Sequence, residues 1–367
     1  MDYFLAAVIW VLIGSLIVAS LVPLSKVSHG AIQGLAFPRE QFFALATLLF
    51  VICAIWMEDT ERLVALLLLA AAGAMQLVYI VKFTPLWWRQ SIDATEDQAA
   101  DDDRKVTLLS ANVKMSNRRY DRLISLVRKE TPDIVMAIET DGPWIEALEG
   151  ELGDTYEHWV KVPLDNGYGL CLMSKLPLAS TEVRELITDK VPSIRTEVQL
   201  RGGASFRLYV VHPEPPVLDH DTNGRDGEIA LVGMQAAEDC LPAIVSGDLN
   251  DVAWSTTTRR FQRLSGLLDP RVGRGFYNTF HADYFFARWP LDHLFHDPQF
   301  RLIEMDRLGK IGSDHFPMKF GLMLAEVPAA ESHPGDSTPE ERAEIEEVIR
   351  EEKKRNRTAI GSDWEQG

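Results

Sequence analysis

The chain has 367 residues, 46% of them hydrophobic, with 54 acidic against 37 basic side chains and a formal charge of −17. Length and apolar content exclude a wholly disordered chain. The charge excludes a broadly basic nucleic-acid coat, which needs surplus cations to displace counterions from phosphates. Cys53, Cys171 and Cys240 are far apart, lack zinc-site spacing, and are expected to be buried thiols.

Tyr3 to Leu24 contains no charged side chain, and Gln41–Met57 and Leu63–Val81 repeat the pattern. Runs of roughly 17–25 apolar residues match the hydrocarbon thickness of a bilayer. Only Met1 and Asp2 precede the first run, so it lacks the basic region of a signal peptide and is expected to be retained. Lys82, Trp87, Trp88 and Arg89 read as an interfacial anchor. Residues 1–88 are therefore a membrane anchor with three transmembrane helices, and the lipid bilayer is a partner. Lys26, Arg39, Lys82 and Arg89 fall on one side of the three spans and Arg62 on the other. The positive-inside rule then places the rest of the chain in the cytoplasm.

Residues 89–104 form an acidic linker without apolar periodicity, expected to stay solvated. Residues 105–324 alternate strands and helices. Strands are expected at 106–111, 132–138, 198–200, 206–211, 243–245, 294–295 and 316–322, with helices at 120–128 and about 228–238. Residues 325–367 are an acidic tail. Its Thr338-Pro339-Glu340-Glu341 is an N-cap, an N1 proline and a capping-box acid, opening a charged helix expected to be solvated.

Chemistry-bearing residues recur at the ends of the strands of the middle segment. Asn112, Glu139 and His212 each end one. Gly247-Asp248-Leu249-Asn250, Leu291-Asp292 and Ser313-Asp314-His315 follow. Sites of layered α/β folds gather at one end of the strands, so these residues are expected to share a cleft. Carboxylates such as Glu139 suit a hard divalent ion such as Mg²⁺. Asp248 can orient or deprotonate a water. Asn250 can donate to a phosphate oxygen, and a histidine held by a carboxylate can stabilise developing charge. The combination points to metal-assisted transfer of a phosphoryl group to water. His220, His281, His293 and His296 fall outside the pattern and are expected in loops or on the surface. Arg225-Asp226 is either a helix-capping pair or part of the cleft. The aromatic runs 276–281 and 284–286 are expected to pack in the core or in a lid.

The ordered set Asn112, Glu139, His212, Gly-Asp248-Leu-Asn250, Asp292 and Ser-Asp314-His315 resembles the endonuclease/exonuclease/phosphatase superfamily. Ser116-Asn117-Arg118-Arg119-Tyr120, His212-Pro213-Glu214-Pro215-Pro216 and the run from Gly247 to Ser255 look like its bacterial membrane-anchored branch. The resemblance implies a DNase I-like four-layered α/β sandwich behind the three transmembrane helices, in a bacterial plasma membrane. It implies a phosphoesterase using Mg²⁺ or Mn²⁺ on a phosphate-ester substrate of the lipid-linked or membrane-proximal kind. Glu139 would be the principal metal ligand, supported by Asn112 and Asp314. Asp248 would position the attacking water beside Asn250. His212 and His315 would contact the phosphate, and Asp292 would orient His315. Tyr168 and Arg195 sit where some members contact phosphate. Lys114 departs from the pattern, standing where many relatives carry an acid or amide. The alternatives are a nuclease, with nucleic acid as substrate only and Arg259, Arg260, Arg263, Arg271 and Arg274 lining a basic cleft, and a catalytically inactive binding module.

Overall fold

A computed structural model describes residues 3–25, 27–329 and 333–362. Helices α1 (Tyr3–Leu21), α2 (Gly30–Gln33), α3 (Arg39–Trp56) and α4 (Asp59–Ile80) come first, and α1, α3 and α4 are long and apolar enough to cross a membrane. Ile13, Leu49, Cys53, Ala65 and Leu69 interdigitate at their common axis, while Leu48, Val51, Ile55, Leu67 and Val78 face outward. An apolar exterior is what hydrocarbon solvates. One buried polar chain ties the three together. Arg39 Nη1 donates to Gln76 Oε1 at 3.0 Å, Gln76 Nε2 donates to Ser20 Oγ at 2.6 Å, and Ser20 Oγ donates to Leu16 O. Interhelical hydrogen bonds of this kind fix helix register where no hydrophobic force between helices exists.

The remaining elements are α5 (Glu96–Ala99), β1 (Lys105–Asn112), α6 (Tyr120–Glu130), β2 (Ile134–Ile138), α7 (Gly142–Leu152), β3 (His158–Val162), β4 (Leu170–Ser174), β5 (Leu178–Glu185), β6 (Pro192–Gln199), β7 (Ser205–Val211), α8 (Asn223–Glu238), β8 (Ala243–Asp248), α9 (Thr256–Ser265), β9 (Asp292–His296), β10 (Phe300–Arg307), β11 (Met318–Leu324) and α10 (Pro339–Glu352). One sheet has the order β10-β11-β1-β2-β4-β3 and the other β5-β6-β7-β8-β9. The faces between them bury Leu108, Met136, Leu172, Leu208, Ile244 and Leu322. Helices α6 and α7 cover the outside of the first sheet through Leu123, Val127 and Leu148. Helices α8 and α9 cover the second through Ile229, Val232 and Phe261. This is a four-layered α/β sandwich, because each sheet has two apolar faces to bury and each amphipathic helix one.

Four local expectations give way to packing. The stretch around 89–104 is not wholly solvated: Ala94 N donates to Leu302 O at 2.8 Å, Leu302 N donates to Ile92 O at 2.9 Å, and Ser91 Oγ meets His296 Nε2 at 2.7 Å. Helix α10 is not a solvated rod either. Ile345 and Ile349 are buried against Ala230 and Leu264, and Glu341 pairs with Arg260 and Arg263 of α9. Its stripe of three apolar residues looks too thin in isolation, but it meets a matching groove between α8 and α9. His293 and His296 lie in β9 and are fully buried, with Arg271, the Asp251 carbonyl and Ser91 as partners. Cys240 is exposed, at the turn between α8 and β8, whereas Cys53 and Cys171 are buried.

Candidate active site

Strand direction explains how residues far apart in sequence meet. Strands β1 and β2 run parallel, pairing Asn112 with Ile138, so Asn112 and Glu139 emerge side by side. Strands β7 and β8 also run parallel, pairing Val211 with Gly247, so His212 and Asp248 emerge together. Strand β9 is antiparallel to β8 and enters the sheet where β8 leaves it, placing Asp292 opposite Asp248. His315 arrives from the loop before β11. Close strand contact here requires glycine: a Cβ on Gly247, whose φ is 152°, would lie 1.9 Å from Val211 O. Lys114, Glu139 and Asn250 hold left-handed backbone conformations, with φ of 59°, 63° and 52°. Such conformations are uncommon for residues with a Cβ and persist where surrounding structure enforces them.

The result is a cavity of about 360 Å³ walled by Glu139, Tyr168, His212, Asp248, Asn250 and His315. Asn112 Nδ2 bridges the two central carboxylates, donating to Glu139 Oε1 at 2.6 Å and Asp248 Oδ2 at 3.0 Å. Its own oxygen accepts from Lys114 N at 3.0 Å, so the amide organises the carboxylates from behind. His212 Nε2 stands 3.9 Å from Glu139 Oε1 and 4.0 Å from Asp248 Oδ2. His315 Nε2 lies 3.5 Å from Asp248 Oδ2, and its Nδ1 is held by Asp292 Oδ2 at 2.8 Å. Asn250 N donates to Asp248 Oδ1 at 2.9 Å, and Asn250 Nδ2 to Pro213 O at 2.9 Å. Arg225, open in the sequence, is buried behind this loop. It donates to Asn250 O at 3.0 Å and pairs with Asp226, so it braces the Asp248–Asn250 turn.

Electrostatics divides the two histidines. Burial pushes His212 down to about 4, leaving it neutral at pH 7. Burial also opposes charge on His315, but Asp292 and Asp248 outweigh it and raise it to about 10. Burial lifts Glu139 to about 8 against the Asn112 hydrogen bond, and burial likewise raises Asp248. Burial opposes charge on Asp314 too, but His315 and the Lys114 ammonium, 2.9 Å away, leave it below the usual range.

Two groups have the donors for a metal ion within 4.8 Å of one another: Glu139, His212 and Asp248, and Asp248, Asp292 and His315. The oxygen-rich first group fits a hard divalent ion. Among the described residues, its carboxylates have only His212 and His315 as ionisable partners within ion-pair distance. A bound cation would supply the charge that burial now withholds. Asp314 belongs to neither group and already faces Lys114.

Tyr168 joins the cavity wall, its ring 5.3 Å from that of His212. Arg195 does not. It lies on β6, paired with Asp239 and Tyr209 in a separate surface depression. Its placement follows from the β6 register, which sends it to the outer face of the sheet beside α8. Sequence reasoning missed several wall components: Phe37 from the loop between α1 and α3, Asn166-Gly167, Phe280, and Ile360-Gly361 from the tail. The tail returns because Arg357 pairs with buried Glu214 at 2.5 and 2.6 Å, while Tyr168 Oη donates to Ile360 O. No sequence signal marks Phe37 or Ile360, since both act by tertiary position alone.

The Endonuclease/Exonuclease/phosphatase family profile matches residues 109–315. The chain belongs to this family. Its members hydrolyse phosphate esters with divalent metal, and the chain is a hydrolase of that class. Solved structures share the fold. D. rerio TDP2 complexed with single-strand DNA product is 18% identical, covering 59% of this chain and 98% of its own, with a TM-score of 0.51. An endonuclease/exonuclease/phosphatase from Bacteroides vulgatus is 18% identical over 60% and 99%, TM-score 0.50. One from Beutenbergia cavernae is 19% identical over 62% and 73%, TM-score 0.50. No curated protein matches the chain.

Glu228 offers a stability test near the site. It is fully buried on α8, its Oε1 lacks a hydrogen-bond partner, and burial together with Glu214 raises it to about 8. A carboxyl whose folded pKa exceeds its unfolded value stabilises the fold below the unfolded pKa, and loses that contribution as pH rises toward the folded one. Glu228→Gln is therefore expected to leave thermal stability unchanged near pH 4.5 and to raise it at pH 9, by up to roughly 5 kcal/mol. Equal melting shifts at both pH values would refute the assignment.

Proposed function

We propose that the protein is a membrane-tethered phosphoesterase using Mg²⁺ or Mn²⁺ and acting on lipid-linked phosphates at the bilayer surface, as in a bacterial membrane-anchored branch of the family. The observation that carries this reading is the position of Phe37. It lines the catalytic cavity from the loop joining two membrane-crossing helices. The join is hydrogen-bonded as well: Trp254 Nε1 donates to Ala36 O at 2.8 Å and Asn278 Nδ2 donates to Glu40 Oε2 at 2.8 Å. A reacting phosphate is thus received within one residue's reach of the membrane anchor. Contact between residues 28–41 and the domain also requires both to lie on one side of the bilayer, as three crossings demand. By the positive-inside count that side is the cytoplasm.

Glu139, with Asn112 behind it, would hold the metal, His212 and Asp248 completing the donor set. When bound, the ion polarises the phosphate and neutralises its oxygens. Asp248 accepts a proton from water as that water attacks phosphorus in line, and the P–O bond to the leaving group breaks on the opposite side. Cationic His315, oriented by Asp292, and the Asn250 amide donate to the phosphate oxygens where charge develops. Tyr168 closes the wall behind His212.

The nuclease reading loses its basic cleft. Arg260 and Arg263 pair with Glu341, Arg271 with Asp269, and Arg274 with Asp93, while Arg259 stacks on Tyr79. The inactive-module reading is opposed by the complete set of acid, amide and imidazole groups around one cavity. The full chain reconstituted in vesicles, given lipid phosphates, inositol phosphates and DNA with Mg²⁺, is expected to release phosphate from the lipid, to stop with EDTA, and to resume on Mg²⁺ addition. Cleavage of DNA with intact lipid phosphates would overturn the proposal.

A further inference from the structure

A second cavity, of about 570 Å³, shares no lining residue with the catalytic one and is lined by Arg274, Tyr277, Asn278, Phe285, Arg288 and Arg307. Of the three arginines around it, Arg274 is paired with Asp93, which leaves Arg288 and Arg307. They flank the ring of Phe316 at 5.1 and 4.6 Å. Backbone carbonyls fix them: Arg288 donates to His281 O and Ala282 O, and Arg307 to Asn278 O at 2.7 Å. Among the described residues, neither guanidinium has a carboxylate within ion-pair distance. Burial and the neighbouring Arg288 charge hold Arg307 below its ordinary range, a state that an anion would relieve. Two fixed guanidiniums without acid partners, both against the Phe316 ring, have the chemistry to bind a phosphate group.

The surroundings identify where that phosphate comes from. Tyr284, Phe285 and Phe286 project beside the cavity at 53%, 82% and 64% exposure, against the expectation that they pack in the core or a lid. Gln41 Nε2, in the first turn of α3, donates to Phe286 O at 3.2 Å and reaches Arg288 O at 3.5 Å. On the other flank, Gly273 N donates to Lys82 O at 2.8 Å, tying the start of the cavity wall to the end of the third span. Leu86 and Trp88, just beyond, are 88% and 71% exposed. The aromatic loop beside the cavity is thus hydrogen-bonded to the first turn of α3, and the chain entering the cavity wall at Gly273 to the end of the third apolar helix. Aromatic rings at that level occupy the headgroup layer, where Arg clusters meet anionic lipid.

We infer that the Arg288–Arg307 cavity is an accessory site for the phosphate headgroup of an anionic bilayer lipid, with the Tyr284–Phe286 loop inserted in the interface beside it. The site is separate from the catalytic cavity. It rests on the bilayer placement proposed above and not on hydrolysis. The occupant is a phosphodiester lipid such as phosphatidylglycerol, which brings both the anion for the arginines and the apolar layer for the aromatic loop.

The test uses the full chain in phosphatidylcholine vesicles doped with phosphatidylglycerol carrying a photoactivatable group on its headgroup. Crosslinks are expected within residues 274–288, and excess short-chain phosphatidylglycerol is expected to suppress them while inorganic phosphate does not. Arg288→Gln with Arg307→Gln is expected to lower labelling by about tenfold or more, with the fold checked by circular dichroism. Phe285→Glu, at an exposed position that carries no core packing, is expected to lower it as well. Asp248→Asn is expected to label as strongly as wild type, so a failed hydrolysis assay leaves this result standing. Retention on alkaline extraction reports bilayer placement by itself, and its loss would overturn the inference. So would equal labelling by a choline-headgroup probe, labelling insensitive to the arginine pair, or full competition by inorganic phosphate, which marks a free-anion site.

Discussion

Asp248→Asn is expected to lower kcat for bis-p-nitrophenyl phosphate by about 10³–10⁴-fold with Mg²⁺ present, with little change in melting temperature. The reason lies in how many roles one carboxylate fills. Its Oδ2 meets the Asn112 amide at 3.0 Å and faces both imidazoles, while its Oδ1 takes the Asn250 N–H. Asparagine keeps the size but cannot take a proton from water, and it removes one of the two carboxylates that hold charge on His315. Asp292→Asn is expected to cost about 10²-fold, since it removes the other and frees the ring from its orienting hydrogen bond. The two carboxylates share one histidine. The double variant is therefore expected to fall short of the product of the single effects, as for groups acting as a unit. Steady-state rates for the three variants check this. A kcat for Asp248→Asn within about threefold of wild type, or strictly multiplicative losses, would show that these groups do not form one catalytic device.

Arg357→Ala is expected to destabilise the folded protein by about 3–5 kcal/mol, an effect as large as many core truncations. Arg357 is the bidentate partner of Glu214, whose side chain is only 2% exposed. Without it, Glu214 remains buried beside Glu228, with the Ile360 N–H and the Thr188 hydroxyl as its remaining donors. Neutralising the stranded acid should restore most of the loss, so Arg357→Ala combined with Glu214→Gln is expected to melt close to wild type. Thermal unfolding of the two variants in detergent decides the matter. If the second substitution restores nothing, the tail is held by α10 packing and the ion pair is incidental. The same pair positions Ile360 and Gly361 in the catalytic wall, so KM is expected to rise in Arg357→Ala more than kcat falls.

The parts of this protein that were legible in the sequence share a local signature. A run of apolar residues long enough to cross a bilayer needs no partner to be recognised, and the three N-terminal helices match such runs to within a few residues. The alternation of buried strands and amphipathic helices gave the layered α/β class, because hydrophobic period reports which face an element must bury. The candidate site was legible because polar groups at strand ends stand out against apolar strands. Asn112, Glu139, His212, Asp248, Asn250, Asp292 and His315 are gathered around one cavity by two parallel strand pairs and one antiparallel pair.

Other features depend on contacts between residues far apart in the chain. Arg195 carries no local mark of which sheet face it occupies, and a one-residue change of register would reverse it. Helix α10 has a stripe too narrow to predict docking, yet the groove between α8 and α9 accepts it. The exposed Tyr284–Phe286 loop reads as core or lid packing from composition, since an aromatic run is the same string whether it is buried or exposed. Phe37 and Ile360 enter the catalytic wall only because the inter-helix loop and the returning tail are folded against it. The sequence by itself determined the chemistry the site can perform, since that rests on residue types at strand ends. Only the tertiary structure decided what surrounds that chemistry, because the loop between α1 and α3 and the tail reach the cavity through packing between segments far apart in the chain.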